Sequence, residues 1–388
     1  MCNIIIEKEA TANLKQFLIN NYKEKNVAFI TTEKILNKNK ENLLCLKNLP
    51  LQLEVFFLED FARCDKVNTE LIKESVKDSD FIVCFGYGDM VDAVKYVATE
   101  CNKKYALVVS MIDSTNYILN FCNFINADGL STGIKCELPE CVYIDINIIE
   151  KTPKRYVANA FAYVLSFNLM LCKMLYDNFD DIKIKELSDI IKEINIFTDE
   201  NIITMEGKTK LIKLILELQL KLNELKIDYP VFKLCSFFNK FYNKNLSLLN
   251  GELCLIFSFL ILSLQECVLN NKICLSPLNI NKRISRLKYL FKKDNYVTEV
   301  VSNLESTNTE KMLQEIAEKK ELFLKYITLA LTRITNNISM LKRIYIDKGV
   351  VLNNINMESF YNTLSLASDF VEERFLTTLR DVGVMDNI

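Results

Sequence analysis

Residues 81–95 read FIVCFGYGDMVDAVK, and this stretch decides the fold. Five apolar residues, Phe81–Phe85, form a run of the length expected for a strand buried on both faces. Gly86-Tyr87-Gly88 then turns the chain, and Asp92 and Lys95 follow on an opening helix. A helix N-terminus presents unpaired N–H groups and a partial positive charge, and glycines let a pyrophosphate approach the backbone. The same residues also suit a tight strand-to-helix turn that binds nothing. The surroundings favour a binding crevice, because the turn follows the third strand of an alternating pattern.

Outward from this turn, Val27–Thr31, Gln52–Leu58, Tyr105–Val109 and Val142–Ile146 read as further strands, with helical patterns such as Val67–Lys77 and Met90–Cys101 between them. Strand and helix alternating in this way predict a parallel sheet with crossover helices. Residues 1–150 are therefore expected to form a Rossmann-like nucleotide-binding domain. Thr152-Pro153 marks a boundary, since proline suits the first turn of a helix and threonine caps it. Beyond it the spacing predicts helices over 154–175, 181–194, 209–225, 230–243, 251–269, 310–345 and 357–380. Residues 151–388 are thus expected to be an all-α domain. The polar stretch 296–310 reads as a loop or a frayed helix, and no internal repeat or low-complexity linker interrupts the chain.

A chain of 388 residues is too long for one ordinary core, which agrees with two domains. The net charge of −2 gives no basic character to attract nucleic acid or an anionic membrane. Glycine, at 8 residues, is far below the roughly 27 that average usage would give, as if loops with strained conformations had been simplified. A genome biased toward Lys, Asn and Ile codons would have the same effect. The 13 cysteines include no Cys-x-x-Cys pair, and the start shows no export-signal pattern, so reduced cytoplasmic thiols are expected. Leu253–Leu264 is too short to span a bilayer and Tyr156–Cys172 carries two asparagines, so both read as buried helices. Lys282–Lys293 has six positive charges at helical spacing and reads as a solvated face.

Against this background the absence of histidine is informative. Gly86, Gly88, Asp92 and Lys95 resemble the Gly-Gly-Gly-x-x-x-Asp-x-x-Lys signature of glycerol-1-phosphate dehydrogenases, with Tyr87 replacing the middle glycine. Their relatives are the glycerol dehydrogenases, iron-containing alcohol dehydrogenases and 3-dehydroquinate synthases. Val109–Phe121 is similar to the loop that in this family holds the nicotinamide side of the cofactor and the substrate. Val109 and Ser114 match there, while Ser110, Met111, Asn116, Tyr117, Asn120 and Phe121 depart from the pattern. Asp145, Ile148, Ile149, Pro153, Arg155 and Leu165 resemble the next conserved segment, but Ala160 and Ala162 replace two glycines and Tyr163 replaces a metal-binding aspartate. Leu249-Asn250-Gly251-Glu252 resembles Leu-His-Gly-Glu, so Asn250 stands where one metal histidine belongs. The other would fall near Phe232–Leu234. Glu373-Arg374-Phe375, Leu379 and Gly383-Val384 resemble the ending of the glycerol-1-phosphate branch.

The resemblance implies a dehydroquinate synthase-like fold: the Rossmann-like domain, then an all-α domain that in the family holds metal and substrate. It implies NAD or NADP as cofactor, with Gly86, Tyr87, Gly88, Asp92, Lys95, Ser114, Asn116 and Asn120 as the cofactor-binding positions. It also implies hydride transfer helped by a divalent metal, and here scaffold positions match while chemical positions mostly do not. The expectation is a family member without a metal and without metal-dependent chemistry, retaining a dinucleotide, a protein partner or a second copy of itself as its ligand. The alternative is an active oxidoreductase on glycerol phosphate or a related small alcohol, with Tyr163 donating a proton beside Lys95 or Lys233. Cys235 and Cys254, with Asp113 or Glu252, are the candidates for a replacement metal site; small buried core thiols are the plainer reading.

Overall fold

The computed structural model describes residues 2–60, 62–127, 129–229, 231–242, 248–272, 280–290, 314, 317–346, 357–370, 373–382 and 384–386. The chain divides into two compact units. One comprises Met1–Val164, Glu193–Asp228 and Met340–Gly349, and the other Leu165–Lys192, Tyr229–Ser339 and Val350–Ile388.

The strands of the first unit are β1 (Asn3–Glu7), β2 (Asn26–Thr32), β3 (Gln52–Leu58), β4 (Phe81–Gly86), β5 (Tyr105–Val109), β6 (Phe121–Ile125), β7 (Ser131–Lys135) and β8 (Cys141–Asp145). Six of them form one sheet in the order β1-β8-β5-β4-β2-β3, with every neighbouring pair parallel. The expected parallel α/β sheet is therefore present, and each of the five strands read from the sequence lies in it. Strand β1 and the antiparallel pair β6–β7 are additions. The glycine turn accordingly follows the fourth strand of the chain.

From β2 the chain steps outward to β3 and then returns to β4 on the opposite side of β2. The direction of winding reverses there, so the carboxyl end of β4 lies at the switch point where an open α/β sheet forms its crevice. Phe81, Val83 and Phe85 alternate along β4 toward one face. There they join Val27, Phe29, Ala106 and Val108 in a core with Ala10, Leu14 and Leu18 of α1 (Ala10–Tyr22). Burying each large apolar side chain in this layer contributes about 1.5–3 kcal/mol.

In chain order the next helices are α2 (Glu33–Lys38), α3 (Lys66–Val76), α4 (Asp89–Glu100), α5 (Ile146–Ile149), α6 (Lys154–Ser166), α7 (Asn168–Tyr176), α8 (Asp181–Lys192), α9 (Met205–Leu225), α10 (Val231–Phe241), α11 (Asn250–Leu269) and α12 (Ile280–Leu290). The helix expected over 154–175 is broken at Phe167, and that over 357–380 is two helices, Met357–Ala367 and Arg374–Asp381. Helix α9 belongs to the first unit, where Thr204 caps it by accepting from Gly207 N at 3.1 Å.

The second unit is helical. Phe238, Phe257 and Phe360 form an aromatic cluster with ring centroids 4.2–5.9 Å apart. Gln265 joins Tyr176 Oη (2.7 Å) to the carbonyl of Phe375 (2.5 Å). Arg374 donates to the carbonyl of Tyr176 at 2.8 Å, and Lys173 pairs with Glu373 at 2.5 Å. The basic stretch is not uniformly solvated: Arg283 is buried against Asp369 at 2.7 Å, and Arg286 donates to Ser365 at 2.9 Å. Residues 291–293, the polar stretch 296–310 and Gly383 lie outside the described residues. The stretches Lys154–Tyr176 and Asn250–Leu269 are long and apolar enough to cross a membrane, but 94% and 72% of their apolar windows is buried inside the protein.

Candidate active site

The turn after β4 lies in the first unit. Gly88 has φ +63°, a conformation that a side chain would strain, which explains the glycine. Its N–H donates to Thr115 Oγ1 at 2.5 Å. Thr115 Oγ1 in turn donates to Asp113 Oδ1, which also accepts from Thr115 N at 2.9 Å and lies 2.9 Å from Tyr117 Oη. The other carboxylate oxygen of Asp113 is 3.8 Å from where a Cβ on Gly88 would stand. Tyr87, partly exposed, meets Tyr156 edge to face at 5.8 Å between centroids, and burial raises its phenol above the usual range.

Asp92 and Lys95, one and two helical turns further on, are both buried, and Lys95 is 0% exposed. The Lys95 ammonium donates to the carbonyls of Asn116 (2.5 Å), Leu119 (3.1 Å) and Phe121 (3.2 Å) and lies 3.6 Å from Asp92. Asp92 accepts from Asn123 N at 3.1 Å. Both charges thus hold the segment that runs from β5 into β6. The same segment is fixed from α9, where Gln219 accepts from Ile118 N (3.1 Å) and donates to Thr115 O (2.8 Å), and Asn223 binds Asn120 N (3.2 Å) and Ile118 O (2.6 Å). From the other side Thr152 accepts from Ile112 N, and Asn159 donates to Ser114 at 3.2 Å.

The structure therefore gathers Gly86, Gly88, Asp92, Lys95, Ser114, Asn116 and Asn120 around one segment. Ser114 and Asn116 are buried within it, and Asn120 is partly exposed. Thr115, Gln219 and Asn223 were not foreseen. Gln219 and Asn223 stand four residues apart toward the end of a helix whose buried residues from Leu211 to Leu218 are all leucine or isoleucine, and that spacing is the available signal.

Tyr163, on α6, is 0% exposed. Its hydroxyl lies 3.4 Å from Asn116 Oδ1 and 3.5 Å from Gln219 Nε2. Asn250 opens α11 in the second unit, where Glu252 caps the helix by accepting from Leu249 N at 3.0 Å. Lys233 is exposed. Among the described residues no three His, Cys, Asp or Glu side chains are grouped to hold a metal ion.

The charges beside the turn are strained. Asp89 stands in the first turn of α4, where the helix dipole favours an anion. Asp89 keeps part of its surface exposed, yet partial burial, and then the neighbouring Asp92, raise it to about 7, with Arg63 opposing. Burial raises Asp113 to about 6 against its hydrogen bonds from Thr115 and Tyr117. A carboxyl with a raised folded-state pKa holds its proton more tightly folded than unfolded. Its destabilising effect is therefore absent below about pH 4, grows through pH 7 and is complete above. We expect Asp89→Asn to stabilise the protein by about 1–2 kcal/mol at pH 8 and to leave it unchanged near pH 4, as read by denaturant melts at both pH values. An equal effect at both pH values would show that the charge is not the cause.

With this geometry in view, the family model of iron-containing alcohol dehydrogenases matches residues 5–153. No curated protein matches the chain in sequence. Among solved structures, NADH-dependent butanol dehydrogenase A from Thermotoga maritima is similar at a TM-score of 0.62 and 13% identity, covering 99% of this chain and 96% of its own. An alcohol dehydrogenase from an archaeal Red Sea brine-pool source gives 0.59 and 12%, covering 98% and 93%. A probable glycerol dehydrogenase from Sinorhizobium meliloti gives 0.58 and 11%, covering 99% and 96%. The fold is that of the iron-containing alcohol dehydrogenases.

That fold implies a dinucleotide and a divalent metal. A pyrophosphate needs open N–H donors and a positive potential. Here Gly88 N already has Thr115 as partner, Tyr87 puts a side chain on the turn with its ring against Tyr156, and Asp89 and an oxygen of Asp113 stand beside Gly88. At neutral pH the turn as it stands does not fit a pyrophosphate. A first-row metal or zinc needs imidazole, carboxylate or thiolate. Around Tyr163 stand a phenol and two side-chain amides, and this donor set does not fit such an ion.

Proposed function

We propose that this chain is a non-catalytic relative of the glycerol-1-phosphate branch of the iron-containing alcohol dehydrogenases. In that reading residues 1–150 descend from a nucleotide-binding domain and 151–388 from a metal and substrate domain. The observation that carries it is Tyr163. Where the resemblance puts a metal-binding aspartate, the chain has a buried phenol hydrogen-bonded to Asn116 and Gln219. A Lewis acid on the substrate oxygen is what makes hydride transfer feasible in the family, and this arrangement supplies none. With that chemistry gone, the surviving role is binding, to a protein partner or a second copy, and the scattered thiols suit a reducing cytoplasm.

The test is an oxidation assay over polyols and glycerol phosphates with NAD+ and NADP+, with and without added Fe2+ or Zn2+. The expected result is no turnover above the blank under any condition. Turnover that requires the metal and is abolished by EDTA overturns the proposal. Metal-independent turnover lost in Tyr163→Phe would instead make the tyrosine a proton donor.

A further inference from the structure

Cys235 on α10 and Cys254 on α11 face each other in the second unit with their sulfurs 3.5 Å apart. They are 2% and 0% exposed, and Cys235 Sγ also lies 4.0 Å from the carbonyl of Asn250 at the start of α11. A disulfide bond is about 2.05 Å long, so closing this gap requires about 1.5 Å of sulfur travel. A metal is the weaker occupant, since no third donor is grouped with the pair among the described residues. We propose that Cys235 and Cys254 are a modification site: a dithiol that a hydroperoxide oxidises to a disulfide joining α10 to the first turns of α11. The inference is independent of the function proposed above.

The step balances. The thiolate of one cysteine attacks a peroxide oxygen, the O–O bond breaks, and an alcohol leaves after taking up a proton, giving a sulfenic acid. The second sulfur then attacks the first, the S–O bond breaks, and the hydroxide leaves as water with the proton of the second thiol. Two thiols lose two protons and two electrons, and ROOH takes up both to become ROH and H2O. Only the thiolate attacks. Burial and the neighbouring Cys254 raise the Cys235 thiol well above its usual range, so oxidation should be slow at pH 7 and faster at pH 9.

The test uses the full chain, reduced, exchanged into buffer, treated with hydrogen peroxide at both pH values, and alkylated after denaturation. Peptide mapping should show one pair of peptides joined through Cys235 and Cys254, a mass loss of about 2 Da, and reversal by dithiothreitol. The crosslink should be absent in Cys235→Ser and in Cys254→Ala, two variants of different kind that guard against misfolding of either. Recovery of both cysteines alkylated, oxidation of either only to sulfinic or sulfonic acid, or disulfides confined to other cysteines would overturn the proposal.

Discussion

Tyr87→Gly combined with Asp89→Ser should create a dinucleotide site, and the unaltered chain should show no dinucleotide binding at pH 8. The two changes remove an aromatic ring from the turn and one carboxyl from the first turn of α4. They leave the Gly88 conformation and the Lys95 clamp in place. A ligand that binds only the folded state stabilises it by mass action, about 2.7 kcal/mol at a hundred times its Kd. We therefore expect a saturable rise in melting temperature with NADH or NADPH for the double variant, and no such rise for the unaltered chain. Asp113 remains beside Gly88 with a pKa of about 6, so binding to the variant should tighten further as pH falls from 8 to 5.5. A saturable shift of equal size in the unaltered chain would show that the turn is open as it stands. No shift in either would show that Thr115 and Asp113 suffice to close it.

Lys95→Met should be the most destabilising single change in the first unit. The side chain is fully buried, so its removal leaves Asp92 without its cation and three carbonyls without a donor. Breaking a buried ion pair by removing one partner costs about 3–5 kcal/mol, because the other charge remains uncompensated. Methionine fills similar volume, which separates the electrostatic loss from a cavity. Urea unfolding should show the full loss for Lys95→Met and partial recovery when Asp92→Asn is added, since the amide oxygen can still accept from Asn123 N. A loss below about 1 kcal/mol would mean that the β5–β6 segment is held by Gln219 and Asn223 without the clamp.

The parallel sheet was legible because its strands are short runs of Val, Ile and Phe between amphipathic helices. Strand β1 was missed because Asn3–Glu7 has polar ends and stands alone before the first helix, and β6 and β7 because FCNFI and STGIK mix polar and apolar residues without alternation. The break at Phe167 falls between Ser166 and Asn168, where Asn168 donates to the carbonyl of Leu165 at 2.8 Å, and two polar residues in a long apolar run do not by themselves predict a break. At the site, the sequence located the turn and the residues around it. It could not say what Asp92 and Lys95 face, because a lysine suited to a phosphate is equally suited to a cluster of carbonyls, and only the fold decides which acceptor is near.

The clamp has a consequence for how such chains are detected. The residues that make the Gly-x-Gly-x-x-x-Asp-x-x-Lys pattern recognisable are here the ones that fasten a crossover to its sheet, so losing them would destabilise the unit whether or not a ligand binds. Selection for folding alone is enough to keep the pattern readable. A match over residues 5–153 therefore carries information about architecture, while information about chemistry resides at individual positions such as 87, 89 and 163, outside the fixed residues of that pattern.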